Sequence, residues 1–476
     1  MTSRTWTRYA SLFGLALALG ACTLGAGDGG DGDDGAADDG GDDGNGDDGG
    51  GDDVARAPFF LPTGEPDNTA APSIEVDDDG RIHAVYPAYA GGDAYYATCA
   101  SDCAGPDAVE VVRLPTDGST VANAMLALDG AGRPRVLLST FGEVFYATCD
   151  ADCGDGASWT QTAIVKHDGL REVSGEALAL DPAGNPRFVM HTYVAYLGVG
   201  QETPETLLVA CDGGACHDPA AWTQSHLSDQ IWQSSTLRYD DAGKAHVATV
   251  AHVVGDDGLT TLVGAYLSCA GNCGSEDAWS ATGLENAYTT EYDAISIEPT
   301  ISMDLTSGGK PRIAILGKDE ASYRRLVYFA CDAEECGADG AFTGSILTDS
   351  EELSTGLDLA LDDEDHPRIA YSFDYNIGVA HCDGADCTAP DAPWDLAKVE
   401  LGSEMKPDDI FLEWNCNVAA WFLHSPSIAI GPGGAPRVGY QARDISGGVS
   451  NPDPTKPDCV AGTDMTWSRL ALMGAI

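Results

Sequence analysis

The chain has 476 residues, with 76 Asp and Glu against 24 Lys and Arg, giving a formal charge of −52. A surface this acidic repels phosphate backbones, which excludes nucleic acid as a partner, and it avoids anionic lipid headgroups unless something forces the contact. It suits solubility in salty or cation-rich surroundings.

In chain order the first element is a leader. "MTSRTWTRYA" carries Arg4 and Arg8 and no acid, and "SLFGLALALGA" then supplies eleven largely apolar residues. That run is too short to span a bilayer but has the length and basic flank of a secretory signal. It ends in "LGAC", Leu19 to Cys22, which resembles the lipobox of bacterial lipoproteins. The resemblance covers about the first 25 residues and implies cleavage after Ala21, lipidation of Cys22 and a firm membrane anchor, at roughly 0.8 kcal/mol per buried methylene.

Residues 22–53 follow as anchor and tether. From Asp28 to Asp53 there are twelve aspartates and no basic residue, so little can be buried to offset ordering entropy. An extended, self-repelling spacer is expected. Calcium is the one cofactor its composition raises, because Asp43 to Asp48 opens like a calcium loop. Asp48 and Val54 stand where such a loop needs Gly and Glu, so no metal or cofactor is expected. Setting the tether and leader aside leaves −42 on residues 54–476.

Those residues are a repeat. "PSIEVDDDGRIHAVY" from Pro72, "NAMLALDGAGRPRVLL" from Asn123 and "GEALALDPAGNPRFVM" from Gly175 open the series. "STLRYDDAGKAHVATV" from Ser235, "PTISMDLTSGGKPRIAIL" from Pro299, "GLDLALDDEDHPRIAY" from Gly356 and "PSIAIGPGGAPRVGY" from Pro426 continue it. Each reads as a short alternating strand, an Asp-x-x-Gly turn or close variant, and a β-branched strand. Six of them are followed by an apolar run ending in cysteine, a second cysteine, and a large apolar residue that opens a fourth run, as at Cys153 and Trp159. Four short antiparallel strands, seven times over at a period of roughly 50–70 residues, describe an all-β, seven-bladed β-propeller over residues 54–476.

The cysteine spacing now has a reading. In an exported protein, the pairs Cys99–Cys103, Cys149–Cys153, Cys211–Cys216, Cys269–Cys273, Cys331–Cys336 and Cys382–Cys387 are disulfides stapling the third-to-fourth strand turns. Zinc would need two pairs to converge, and successive blades hold them apart. Cys416 and Cys459 remain and are expected to pair with each other, closing a far longer loop.

The Asp-x-x-Gly hairpins resemble those of secreted, sialidase-like propellers that carry Asp-boxes, over about residues 70–476. Pro followed by Arg or His stands where an Asp-box places Trp, so the resemblance implies architecture and carries over no catalytic residue. Arg135, Arg187, Arg312, Arg368 and Arg437, with His83 and His246 in the same slot, form a structural ring expected to pair with the turn aspartates.

Function is therefore expected on the opposite face, where second-to-third strand loops and blade connections are irregular. Its candidate ligand-binding residues are His191, Tyr193, Tyr196, Trp232, His252, Glu291, Tyr292, Asp293, Arg324 and Arg325. The expectation is a monomeric binding or scaffolding module for a protein or glycan, anchored at a bacterial cell envelope, at the outer membrane or cell surface. A glycan-active hydrolase is the alternative, with Glu291 and Asp293, or Asp256 and Asp257, as possible carboxylate pairs. The last expectation is that residues 57–62 close the ring by pairing with 466–473. Against it, Trp467 follows Cys459 at close to fourth-strand spacing, which would make the N-terminal strand supernumerary.

Overall fold

The computed structural model describes residues 56–63, 69–88, 92–116, 118–167, 171–192, 204–254, 260–289, 300–318, 324–338, 340–349, 353–405, 421–444 and 466–476. Cys22, the tether, Cys416 and Cys459 lie outside these residues. So do Tyr193, Tyr196, Asp256, Asp257, Glu291, Tyr292 and Asp293.

Seven antiparallel sheets follow one another around a ring, and in blades one to six the four main strands run in sequence order from the inside outward. Blade one comprises Ser73–Val76, Ile82–Ala88, Asp93–Cys99 and Glu110–Pro115. Blade two comprises Val121–Leu128, Pro134–Thr140, Glu143–Cys149 and Trp159–Lys166. Blade three runs Leu178–Leu180, Pro186–Thr192, Thr206–Cys211 and Trp222–Ser228, with the short strand Arg171–Glu172 added against Pro186–Thr192. Blade four has Ile231–Tyr239, Ala245–Val254, Thr260–Cys269 and Ser280–Thr289, and blade five Thr300–Leu305, Pro311–Lys318, Arg324–Ala330 and Thr343–Asp349. Blade six has Leu353–Leu361, Pro367–Phe373, Asn376–Cys382 and Trp394–Leu401. Apart from single 3-10 turns, the described blades hold no helix, and none is long and apolar enough to cross a membrane.

Blade seven settles the closure. Its inner strands are Trp421–Ile430 and Pro436–Asp444, its third is Thr466–Leu472, and its outermost strand is the N-terminal Arg56–Phe60. Arg56 lies opposite Leu472 and Phe60 opposite Arg469. Thr466–Leu472 thus occupies the third position, not the fourth, and the N-terminal strand is required. Arg469 locks the seam: its guanidinium donates to Glu400 of blade six at 2.5 and 2.8 Å and to the Pro58 carbonyl at 3.0 Å, and it lies 4.2 Å over the Phe60 ring. Tyr440 donates to the same Glu400 at 2.6 Å.

The core lies between blades, where sheet faces stack. The aromatic residue opening a fourth strand leans edge-on against a third-strand tyrosine of the preceding blade: Trp159 on Tyr96, Trp222 on Tyr146, Phe342 on Tyr266 and Trp394 on Tyr328. The tryptophans are anchored at the other end, since Trp159, Trp222, Trp279 and Trp394 donate their indole N–H to the carbonyl of the second cysteine of their own staple, at 2.8–3.0 Å. The six expected short disulfides are present, with Cα separations of 5.7–6.0 Å that suit the bond. Each closes so few residues that loop entropy gives it only about 2 kcal/mol. Such bonds persist in oxidising, extracytoplasmic space, which places the chain among exported proteins.

Candidate functional site

The two faces of the ring differ in how their side chains are committed. On the face bearing the first-to-second and third-to-fourth turns, the turn aspartate accepts successive backbone N–H groups. Asp129 Oδ1 takes them from Ala131 and Arg133 at 3.0 and 3.1 Å, and Asp362 Oδ1 from Glu364 and His366 at 3.0 and 2.8 Å. The fourth turn position needs positive φ, supplied by Gly132 at 69° and, in blade six, by Asp365 at 66°.

The arginine ring exists and has a second half that the sequence reading missed. Arg135 bridges Asp129 and Asp150, Arg187 bridges Asp181 and Asp212, and Arg368 bridges Asp362 and Asp383. Arg312 pairs with Asp332 alone, because Thr306 replaces its turn aspartate. The second aspartate always follows the third-strand cysteine. In blades one and four that position is Ala100 or Ala270 and the slot holds histidine. There His83 and His246 bond the hydroxyl of Tyr96 or Tyr266 through Nδ1, at 2.6 and 2.7 Å, while Nε2 bonds Asp77 at 3.2 Å in His83 and stands 3.5 Å from Asp240 in His246. Arg437, with glycine at its turn, directs Nη1 to the carbonyls of Ala435, Pro436 and Met473. Asp362, His366 and Asp383 lie within reach of one another, but the Arg368 guanidinium already sits between the two carboxylates at 2.9 and 2.7 Å, where a cation would have to lie.

Around the axis, each innermost strand has an open edge whose N–H groups need acceptors. Neighbouring blades provide them. Ser73 Oγ accepts Leu126 N–H, Ser302 Oγ accepts Leu359 N–H, Ser427 Oγ accepts Ile74 N–H, and Asp358 Oδ2 accepts Ile428 N–H, all at 2.8–3.2 Å. All four acceptors stand four residues before the turn residue of their blade.

Beyond that relay the channel carries charge. Glu75, Glu176, Arg238, Asp304 and Asp358 come from blades one, three, four, five and six; Glu75, Arg238 and Asp304 stand two residues before the turn residue, where the other blades place alanine. Arg238 binds Glu176 at 2.5 Å. Burial, assisted by the charges of Glu176 and Asp304 against the opposing pull of Arg238, lifts Glu75 to about 7. Burial also raises Asp304, against Arg238 and the N–H groups of Leu361 and Leu305. Asp358 is raised well above the carboxylate range by burial, then by the charge of Glu176 and the hydrogen bond between the two side chains, which crosses the axis. The Glu75 carboxyl has no hydrogen-bond partner among the described residues. Chemically, the channel sets carboxyls raised by burial, Glu75 to about 7, beside the Arg238 cation. Part of the signal was legible: aligning the seven hairpins shows Glu75, Arg238 and Asp304 where the other four blades put Ala.

The opposite face carries the irregular loops. Of its expected residues, His191, Trp232 and His252 are buried beneath it and not displayed on it. His191 Nε2 meets Ser174 Oγ at 2.7 Å and Nδ1 meets the Thr192 carbonyl at 2.9 Å; His252 Nε2 meets Gln233 Oε1 at 2.7 Å. Burial holds both imidazoles near 4, hence neutral. Arg324 donates to the Leu353 carbonyl, joining blades five and six, and Arg325 beside it is half-buried. Other residues stand out instead. Phe141, on the blade-two loop, is 53% exposed, and Tyr375, on the tight turn Asp374–Tyr375 of blade six, is 46% exposed. Tyr375 begins an aromatic row, edge-on to Phe422 at 5.5 Å, which stacks on His424 at 4.6 Å. His424 Nε2 is buried with no hydrogen-bond partner among the described residues, and burial holds this ring near 4 as well. The row was hidden in the sequence because Tyr375 and Phe422 lie 47 residues apart.

No family model and no curated sequence matches the chain. Among solved structures, it is similar to an ulvan lyase of a polysaccharide lyase family bound to a GlcA–Rha3S saccharide, at 10% identity and a TM-score of 0.48, covering 87% of this chain and 95% of that one. It is similar to a Penicillium chrysogenum α-L-arabinanase complexed with arabinobiose at 9% identity and a TM-score of 0.41, covering 88% and 98%. A Hadza microbial sialidase matches at 11% identity and a TM-score of 0.38, covering 70% and 66%.

Proposed function

We propose that the chain is an envelope-anchored binding propeller, lipidated at Cys22, extended on its acidic tether as a monomer, and engaging a glycan or protein through the loop face. The observation that supports this is the contrast between faces. Turn-face side chains recur from blade to blade and are consumed by their own turns, whereas the loop face displays non-repeating aromatic groups at Phe141 and Tyr375. Exposed rings on a rigid scaffold suit recognition, because they give contact area at little cost in conformational entropy. The charge of −42 on residues 54–476 favours a neutral or cationic ligand. No cofactor is invoked.

A second reading, a glycan-active hydrolase, is favoured by one feature: a free Glu75 carboxyl held to about 7 beside further acids in the channel. Such an acid suits protonation of a glycosidic oxygen.

A glycan array probed with the full chain, beside a panel of glycosidase substrates, separates the two. Saturable binding without turnover supports the first reading, turnover abolished by Glu75→Gln supports the second, and neither result overturns both. Replacing Cys22 with serine should release the protein from the membrane fraction and abolish acyl labelling; persistent labelling refutes the anchor.

A further inference from the structure

The turn face has one break in its repetition, between blades three and four, and it leaves a groove of about 580 Å³. Elsewhere the space between stapled blades is filled from at least one side, by the tyrosine alone where Gly154 or Gly337 follows the second cysteine. A third-strand tyrosine enters from one blade: Tyr96, Tyr146, Tyr266 or Tyr328. The residue after the second cysteine enters from the next, and where it is large it bonds across. His217 of blade three lies 2.8 Å from Thr148 and 5.5 Å from the Tyr146 ring, and Thr388 of blade six bonds Thr343 at 3.1 Å. In blade three the tyrosine is replaced by Leu208, and in blade four the inserted residue is Gly274. Among the described residues, no other stapled interface lacks both.

A second departure gives the groove its chemistry. The residue before the turn aspartate is Val, Leu or Ile in the other blades, but in blade four it is Tyr239, whose phenol reaches Arg187 of blade three. Burial holds that phenol at about 12, so it remains a neutral hydroxyl. Arg187 has no donor left for an anion. Its Nη1 serves the Pro186 and Cys211 carbonyls, its Nη2 serves Asp181 and Asp212, and it also bonds Tyr239. Asp212 uses only one oxygen on Arg187 and is 78% exposed, and Asp241 stands at the rim. The groove thus has an apolar floor of Leu208 and Ala210, an aromatic wall, and three carboxylates against one satisfied guanidinium.

We propose that this groove binds a primary alkylammonium group, its methylene stem on Leu208 and Tyr239 and its head between Asp212 and Asp241. The site stands apart from the loop face and does not depend on the function proposed there. A stem of several methylenes fits the apolar floor, and a compact ammonium matches exposed carboxylates without needing the planar fork of a guanidinium.

Saturation-transfer NMR on the full chain tests this with Nα-acetyl-lysine amide against its neutral analogue, Nα-acetyl-norleucine amide. The lysine probe should bind roughly 5-fold more tightly, with the difference shrinking as salt rises. Leu208→Tyr restores the ring found in the other blades and Gly274→His copies blade three; each should abolish binding, and Asp241→Asn should weaken it about 3-fold. If one filled variant melts early, the other carries the test. A lysine tripeptide and free pentylamine distinguish a partner's side chain from a small amine, since only the tripeptide gains if a chain is the natural occupant. Equal signals from lysine and norleucine probes, or wild-type binding in a folded filled variant, overturn the proposal.

Discussion

Arg135 holds two aspartates of its own blade on one nitrogen, with Asp129 at 2.6 Å and Asp150 at 2.8 Å, and the blades that replace the arginine with histidine also replace the second aspartate with alanine. The slot is therefore a matched set. Arg135→Ala leaves Asp129 to Arg133, at 2.7 Å, and to the turn N–H groups, and should cost about 2 kcal/mol in denaturant unfolding. Blade two already has Tyr146 where blades one and four have Tyr96 and Tyr266. The double change Arg135→His with Asp150→Ala should therefore recover more than half of that loss. No recovery would mean the two sets are not interchangeable.

The seam between the chain's two ends rests on the buried Glu400–Arg469 pair, reinforced by Tyr440 and the Pro58 carbonyl. Glu400→Ala leaves a buried guanidinium uncompensated and should cost about 3–5 kcal/mol. Deleting residues 54–64 removes the outer strand of blade seven and should lower the melting temperature by several degrees. An unchanged melting temperature after the deletion would remove the N-terminal strand from the closure.

Channel acids give the protein a pH signature of definite sign. Glu75 holds its proton to about 7 when folded but ionises from the ordinary value of 4.5 when unfolded. Between those values the folded state binds more protons, so this group's contribution to stability falls as pH rises from about 4.5 to 7. His191, His252 and His424, depressed to about 4, act oppositely: their contribution is whole above 6.5 and is lost as pH falls toward 4. Comparing wild type with Glu75→Gln cancels the histidines. The variant should match wild type at pH 4 and exceed it by on the order of 2 kcal/mol at pH 8. A difference that does not grow with pH would show that Glu75 is not perturbed.

How far the sequence could be read depended on repetition. Blade number, strand order, staples and the arginine slot all recur, so one blade's pattern interprets the others. The ring closure was reachable too, because the proline-rich stretch before Thr466 left blade seven a strand short. Single-copy contacts across space were not. Glu75 and Arg238 meet only because the ring brings blades one and four to a common axis, and Tyr375 joins Phe422 only through the packing of blades six and seven. Tyr, Trp and His in irregular loops were a poor guide to display. His191, Trp232 and His252 are apolar or aromatic enough to be drawn inward, where Ser174, the Thr192 carbonyl and Gln233 satisfy the polar atoms of the two histidines.

The central claim is that recognition belongs to the loop face and stability to the turn face. Its most direct test is to measure ligand affinity on the glycan array, or for a captured partner, together with melting temperature, in Tyr375→Ala and Gly132→Val. Tyr375 is about half exposed, so its loss should weaken binding about tenfold, on the order of 1.4 kcal/mol, while leaving melting within a degree or two. Gly132 sits at φ 69°, a conformation valine resists, so its replacement should cost on the order of 2 kcal/mol of stability and leave affinity unchanged in the folded fraction. Loss of stability in both with loss of affinity in neither would contradict the account.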